Sequence, residues 1–305
     1  MIWGERKLWK GYSLVLLSAT GFAFIPIFAL YAYDSGVTVT TLLFLRFALA
    51  ALFFFLYLWL KEKNWKVSRS HLLYLFLLGG IFYMMQSSFY FQAVKYIPSS
   101  LAALLLYLNP IFVAIFSFFI NKEKLTKHII IAILISFLGM LLVLGAPEGK
   151  IQPLGIALAI GAAIVYSMYI IVGNKVTAQH VPPITASAYI ALFAALSFFI
   201  FGIGSGTLHF QFGTKGWLPI IGTSFVSSVL AMLTFFAGMN IIGPTKAAIL
   251  SMIEPIVTFL LSMVFLRESI SSIQMIGGLI VLSGAMLVVT TKELKPKKKS
   301  TSISA

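Results

Sequence analysis

Cysteine is absent from this 305-residue chain, which excludes a disulfide framework, a thiolate metal site and a thiol nucleophile. Charge is scarce as well. Only 10% of the residues are charged against 60% hydrophobic, whereas a soluble domain carries roughly a quarter charged residues. A fold in water has no means of hiding that much apolar surface, so lipid must be the solvent. Acidic groups are scarcest: eight Asp and Glu stand against 22 Lys and Arg, for a net charge of +14. The basic residues fall between apolar runs and are not interleaved with aromatics, which speaks against nucleic-acid binding. No Walker A pattern is present, so ATP-driven pumping has no engine here. The histidines His71, His128, His180 and His209 fall at expected helix ends or in loops. None pairs at ligand spacing with a second His or a carboxylate on one helix face. No cofactor, metal or enzymatic activity is expected.

What the chain does contain is apolar runs. A bilayer core of about 30 Å needs about 20 apolar residues per helix. Ten stretches qualify: 11–33, 38–60, 71–93, 98–120, 127–146, 153–174, 183–202, 216–238, 244–266 and 272–291. Turn and charge signals separate them, among them Lys61-Glu62-Lys63-Asn64, Asn121-Lys122-Glu123-Lys124, Ala146-Pro147-Glu148-Gly149-Lys150 and Pro182-Pro183. Met1–Lys10 is basic and precedes an apolar run, as in a signal peptide. That run is long enough to span and no A-x-A site closes it, so it reads as a retained first helix. No connection is long enough to fold as a soluble domain. The longest, Gly202–Lys215, opens Gly-Ile-Gly-Ser-Gly. It lacks the Lys and strand context of a phosphate loop and is expected to be flexible.

With the N-terminus in the cytoplasm, 17 basic residues fall on the inner side and four (Lys95, Lys150, Lys215, Arg267) on the outer side. The positive-inside bias therefore puts both termini in the cytoplasm. The tail, including Lys297-Lys298-Lys299, fits contact with anionic lipid.

The chain also repeats itself. A shift of 145 residues lays Phe91 on Phe236, Ala102-Ala103 on Ala247-Ala248 and Pro110 on Pro255. The same shift lays Ser117 on Ser262, Glu123 on Glu268 and Gly139 on Gly284. Each half then holds five helices. Because five is odd, the halves enter the membrane from opposite sides, which makes them inverted repeats of the kind secondary transporters use for alternating access. The expected fold is all-α: ten transmembrane helices as two inverted five-helix repeats, residues 11–146 and 153–291. A basic cytoplasmic tail, 292–305, follows.

Several residues in this frame resemble one family. Glu254-Pro255 inside an apolar helix, Arg267-Glu268 at its end, and Gly277-Gly278 with Gly284 in the last helix are similar to the EamA-type ten-helix members of the drug/metabolite transporter superfamily. Asn109-Pro110, Lys122-Glu123 and Gly139 form the matching set in the first half, and Leu45-Arg46-Phe47 resembles the family's leucine-arginine-phenylalanine step. The resemblance runs from about Gly11 to Thr290. It implies a proton-linked or exchange-type carrier, often an exporter of amino acids, related metabolites or toxic compounds. One departure matters: where the second repeat has Glu254, the first has Asn109, so the halves need not share one coupling role.

Only two ionisable side chains lie well inside the spans, Arg46 and Glu254. Glu254 is about ten residues into its helix, near mid-bilayer at roughly 1.5 Å per residue. A centred charge costs about 2.5–3.5 kcal/mol on insertion scales, so such groups face a cavity or a partner. One reading makes Glu254 a proton and substrate site; the other makes it a neutral acid hydrogen-bonded to a neighbouring helix. Arg46 either holds an anionic group, pairs with Glu254, or snorkels outward. Pro110 and Pro255 each remove an amide donor and displace the carbonyl four residues back, those of Leu106 and Ser251, and a carbonyl so freed needs a partner or a cavity. Tyr107, Gln86, Ser251 and Tyr166, with Ser87 and Ser167, are mid-span polar groups that line a cavity or bond neighbouring helices. Gly79-Gly80, Gly277-Gly278 and Gly284 fit close helix packing.

The sequence thus points to a cell-membrane secondary transporter that exports a small metabolite such as an amino acid, or drug-like solutes, by alternating access, with a cavity between the halves that includes helices four and nine. Its partners would be a small-molecule substrate, the lipid bilayer and protons as coupling ion, and a monomer suffices in principle. Alternatives are an organic-anion or nucleotide-sugar exchanger, which Arg46 would suit, and a non-transporting sensor or assembly subunit, which lacks any soluble output surface here.

Overall fold

The computed structural model describes residues 2–61, 66–145, 151–179, 181–267 and 271–290. The tail 292–305, the turns at 62–64 and 146–150, His180 and Glu268 lie outside the described residues. Among the described residues, ten helices carry apolar stretches long enough to cross a bilayer. They are α1 (Arg6–Asp34), α2 (Val39–Lys61), α3 (Arg69–Ala93), α4 (Leu101–Asn121) and α5 (Lys127–Leu144). The second half supplies α6 (Pro153–Ala178), α7 (Pro183–Gly204), α8 (Thr214–Ile242), α9 (Pro244–Phe265) and α10 (Ser272–Thr290). An even number of crossings brings the start of α1 and the end of α10 to the same side, here called the terminal face.

Side-chain size dictates how these helices pack. The most extensive contacts are α5 with α10, α2 with α7, α1 with α8, and α3 with α6. A two-fold axis that exchanges the repeats maps the first two pairs onto themselves and swaps the last two. The repeats are therefore intertwined, each lending a helix to the other. On the axis, glycines let α5 and α10 touch backbone to backbone. A Cβ on Gly139 would stand 2.7 Å from the Gly277 carbonyl oxygen and the Val281 nitrogen. One on Gly284 would stand 2.9 Å from the Ala132 oxygen and 3.0 Å from the Ser136 nitrogen. Gly277 and Val281 are the residues 145 beyond Ala132 and Ser136, so the two contacts are one contact repeated. Without a hydrophobic drive between helices in lipid, such close approach is the main source of association. Gly139→Val is expected to destabilise the bundle by about 1–3 kcal/mol through overpacking, read as a lower Tm in detergent. Gly204→Val, at a position with nothing within 4 Å of the new Cβ, should leave Tm unchanged.

The helices are also broken in ways that hydropathy does not show. Pro26 lacks an N–H, and α1 is interrupted at Phe24 between the segments Ile2–Ala23 and Ile25–Asp34. In α3 and α8, corresponding stretches Leu77–Phe82 and Thr223–Leu230 are π-helical. The corner after α4 and the corner after α9 each carry a left-handed residue, Lys122 and Arg267, both at φ 56° and again 145 apart. The connection Gly202–Lys215 corrects the expectation of a flexible loop. Thr207 and Leu208 donate backbone hydrogen bonds to the Gly202 oxygen at 3.0 and 3.2 Å, and Gly213 donates to Ser35 at 2.9 Å. Thr38 and Thr41 donate to the Thr207 and His209 oxygens at 2.9 and 2.8 Å. Polar side chains at the α1–α2 turn thus fasten it down.

Candidate transport site

Both α4 and α9 break near mid-membrane, just before their prolines. In α4 the halves are Ser99–Leu106 and Asn109–Phe116; in α9 they are Pro244–Ser251 and Glu254–Phe265. At each break the hydrogen-bond ladder tightens to three-residue spacing. Leu108 N–H donates to the Leu105 oxygen and Ile253 N–H to the Leu250 oxygen, both at 3.2 Å. These bonds are again related by the 145 shift. The breaks set Asn109 and Glu254 at the first turn of each following half-helix.

Around these two points lies a cavity of about 170 Å³. Glu254, Asn109, Arg46, Tyr107, Gln86 and Tyr166 all line it, so the structure gathers six of the sequence-derived candidates in one place. Ser251 does not line it. Its hydroxyl donates to the Ala247 oxygen at 3.0 Å, an intrahelical bond with no free donor left over. Pro110 and Pro255 are buried beside the cavity, outside its lining. Ser167 is fully buried and braces the site, donating to the Asn109 carbonyl at 3.1 Å and to the Ala163 oxygen at 2.7 Å.

Arg46 does not snorkel: it is 3% exposed. Its Nε donates to Ser228 Oγ at 2.6 Å and an Nη donates to the Ser227 carbonyl at 3.4 Å. The guanidinium also stands 4.8 Å from the centre of the Phe47 ring, a cation–π arrangement. No ion pair joins it to Glu254 among the described residues, although both line the cavity. The π-helical stretch of α8 explains the clamp. Ser228 donates to Thr223, five residues back, at 3.5 Å, and Ser227 donates across to the Gly21 oxygen of α1 at 2.7 Å. The extra residue of a π turn brings consecutive serines to α1 and α2, as such bulges do at functional sites.

The Glu254 carboxyl accepts no hydrogen bond from any described residue, and the side chains of Gln86 and Asn109 make none either. Buried polar atoms are normally satisfied, and these three groups instead face the cavity. The remaining wall is aromatic. Tyr83 meets Phe47 edge-on with ring centres 4.8 Å apart, and Tyr166 stacks on Tyr169 at 6.0 Å. Tyr83, Tyr169, Phe22, Met232 and Phe235 line the cavity without having stood out in the sequence. Only the three-residue spacing of Tyr166 and Tyr169, or of Tyr83 and Gln86, would have put them on one helix face.

Ten apolar helices in inverted repeats, packed around a small cavity with a few polar groups at broken helices, form the architecture of a membrane transporter. The chain belongs to the EamA-like transporter family, which matches residues 9–145 and 153–290. It is a transporter and not an enzyme. It is 26% identical over 216 residues to an uncharacterized transporter of Archaeoglobus fulgidus, covering 69% of this chain and 75% of that one. It is 26% identical over 226 residues to the threonine/homoserine exporter RhtA of Escherichia coli K12, covering 72% of each. A solved crystal structure superposes with a TM-score of 0.79 at 21% identity, covering 91% of this chain and 95% of the other. That likeness bears on the fold.

Proposed function

We propose that the chain is a secondary transporter that exports a small, amino-acid-like metabolite by proton-coupled or exchange-type alternating access. The observation that carries this reading is the unpaired placement of Arg46 and Glu254 on one cavity. A cation and an acid that do not neutralise each other suit a solute bearing a carboxylate and an ammonium, with each protein group meeting the opposite charge. Five donors on Arg46, two of them engaged, leave the fork free for a carboxylate. The cavity, at about 170 Å³, is below the roughly 300–1,000 Å³ typical of drug-sized pockets, which favours a metabolite over a drug-like solute. The relative RhtA, a threonine/homoserine exporter, points the same way. An exchanger of organic anions fits Arg46 alone but would set a second negative charge beside Glu254. The reading places the protein in the cell membrane with both termini in the cytoplasm, following the basic-residue bias.

Counterflow into proteoliposomes tests it. A panel of zwitterionic amino acids, their decarboxylated amines and their N-acetylated acids should give exchange for the zwitterions, with a loss of at least about tenfold for either truncated set. Equal exchange by the N-acetylated acids would favour the anion reading, and no exchange by any member would overturn the proposal.

A further inference from the structure

The cavity is asymmetric along the membrane normal. Most of its lining residues sit at the helix breaks or between them and the face opposite the termini; Tyr169, Met232 and Phe235 are the exceptions and lie past mid-span towards the terminal face. None comes from Pro244–Leu250, and all seven of those residues are buried. In Glu254–Phe265 only Pro255 and Ser262 are buried. The terminal-face halves of α4 and α9 pack against each other, so this face is the closed one.

One side chain fastens that closure from one repeat to the other. Glu123, in the corner after α4, accepts a hydrogen bond from Ser117 of its own repeat. On the same carboxylate oxygen it accepts one from Thr245 Oγ1 of α9 at 2.8 Å, 122 residues away in sequence. The backbone is shaped for this contact on both sides. Lys122, at φ 56°, turns the chain out of the helix directly before Glu123. Gly243, at φ 86°, presents no side chain where the second carboxylate oxygen lies, 3.4 Å from the position of a Cβ. Asn121 Nδ2 also donates to Ser117 Oγ, at 3.4 Å. The donor Thr245 is 0% exposed and Glu123 is partly buried, so the bond is made at the edge of the packed helices.

We propose that Glu123, with Thr245 as its partner across the repeats, is the latch that holds the cavity closed at the terminal face. Its release is then the step that exposes the cavity to that side. The inference rests on reading the cavity as a transport site, but it is tested without any substrate. Because the chain has no cysteine, a single Met232→Cys in the cavity wall reports access from either face to a membrane-impermeant thiol reagent in oriented vesicles. In this reporter the thiol should react from the face opposite the termini and at least about tenfold more slowly from the terminal face. Adding Thr245→Val, which keeps the side-chain shape and removes the hydroxyl, should raise terminal-face labelling about tenfold, the scale of a lost bond to a charged group. Glu123→Gln should act in the same direction, and Tm in detergent checks that each variant is folded. Thr245→Val carries the test if Glu123→Gln does not insert. Equal labelling from both faces in the reporter, or a terminal-face rate unchanged by Thr245→Val, overturns the latch. Changed labelling in a protein that shows no counterflow would instead leave the latch standing and remove the transport reading.

Discussion

Glu254→Gln is expected to leave a folded, inserted protein whose pH-driven flux is gone. The fold should persist because the carboxyl accepts no hydrogen bond from any described residue, so glutamine breaks nothing. The loss of coupling follows from chemistry: glutamine keeps the size and hydrogen-bonding capacity of the side chain but cannot carry a proton in and release it. A proton moving with the membrane field gains about 2.3 kcal/mol per 100 mV, which sustains a solute gradient of about 40-fold at 1.4 kcal/mol per tenfold. In proteoliposomes with an imposed pH difference and potential, the parent should approach such accumulation and the variant should only equilibrate. Substrate binding should lose its pH dependence as well. Concentrative, pH-driven transport by the Gln variant would show that Glu254 is structural.

Arg46→Lys should weaken substrate binding by about tenfold or more although the charge is kept. The arginine fork is oriented by Ser228 Oγ at 2.6 Å and the Ser227 carbonyl at 3.4 Å, and a lysine ammonium reproduces neither bond in the same plane. Hydrogen bonds to charged groups are worth about 1.5–3 kcal/mol, which sets the scale. Arg46→Gln should bind more weakly still, since the carboxylate of the solute would meet no positive charge. Ser228→Ala leaves the charge in place and should shift affinity in the same direction by less. Apparent affinities from substrate-induced thermal shifts would rank the three. Unchanged affinity in both Arg46 variants would show that the guanidinium serves only to pack α2 against α8.

Much of this arrangement is legible in the chain because lipid imposes one rule on every span. Apolar runs must be about 20 residues long, so the ten helices could be read directly. The 145 shift followed from Pro110, Glu123 and Gly139, residue types that recur at one offset by chance far less easily than Leu or Ile. Glu254 and Arg46 were visible because a buried charge stands out against apolar neighbours. The aromatic wall was not visible, since Tyr83 and Phe235 differ little from the many aromatics that face lipid. Nor were the π turns of α3 and α8, which leave composition and periodicity almost unchanged over six to eight residues. The Thr38, Thr41 and Thr207 bonds that fasten the loop after α7 depend on two turns meeting in space. Ser251 failed as a lining residue because a mid-helix serine can satisfy itself on the carbonyl four residues back.

The exchange of helices between repeats has a consequence for how the protein is made. Ser18 of α1 donates to the Ala231 carbonyl of α8 at 2.8 Å, and Gly21 lies where a Cβ would stand 2.9 Å from the Val226 oxygen. When α1 enters the bilayer, α8 has not yet been synthesised. The small-residue face of the first helix must therefore wait in lipid until the second repeat arrives. Neither half can reach its final packing by itself, so the two repeats, though each is a recognisable unit of sequence, are not separate units of packing.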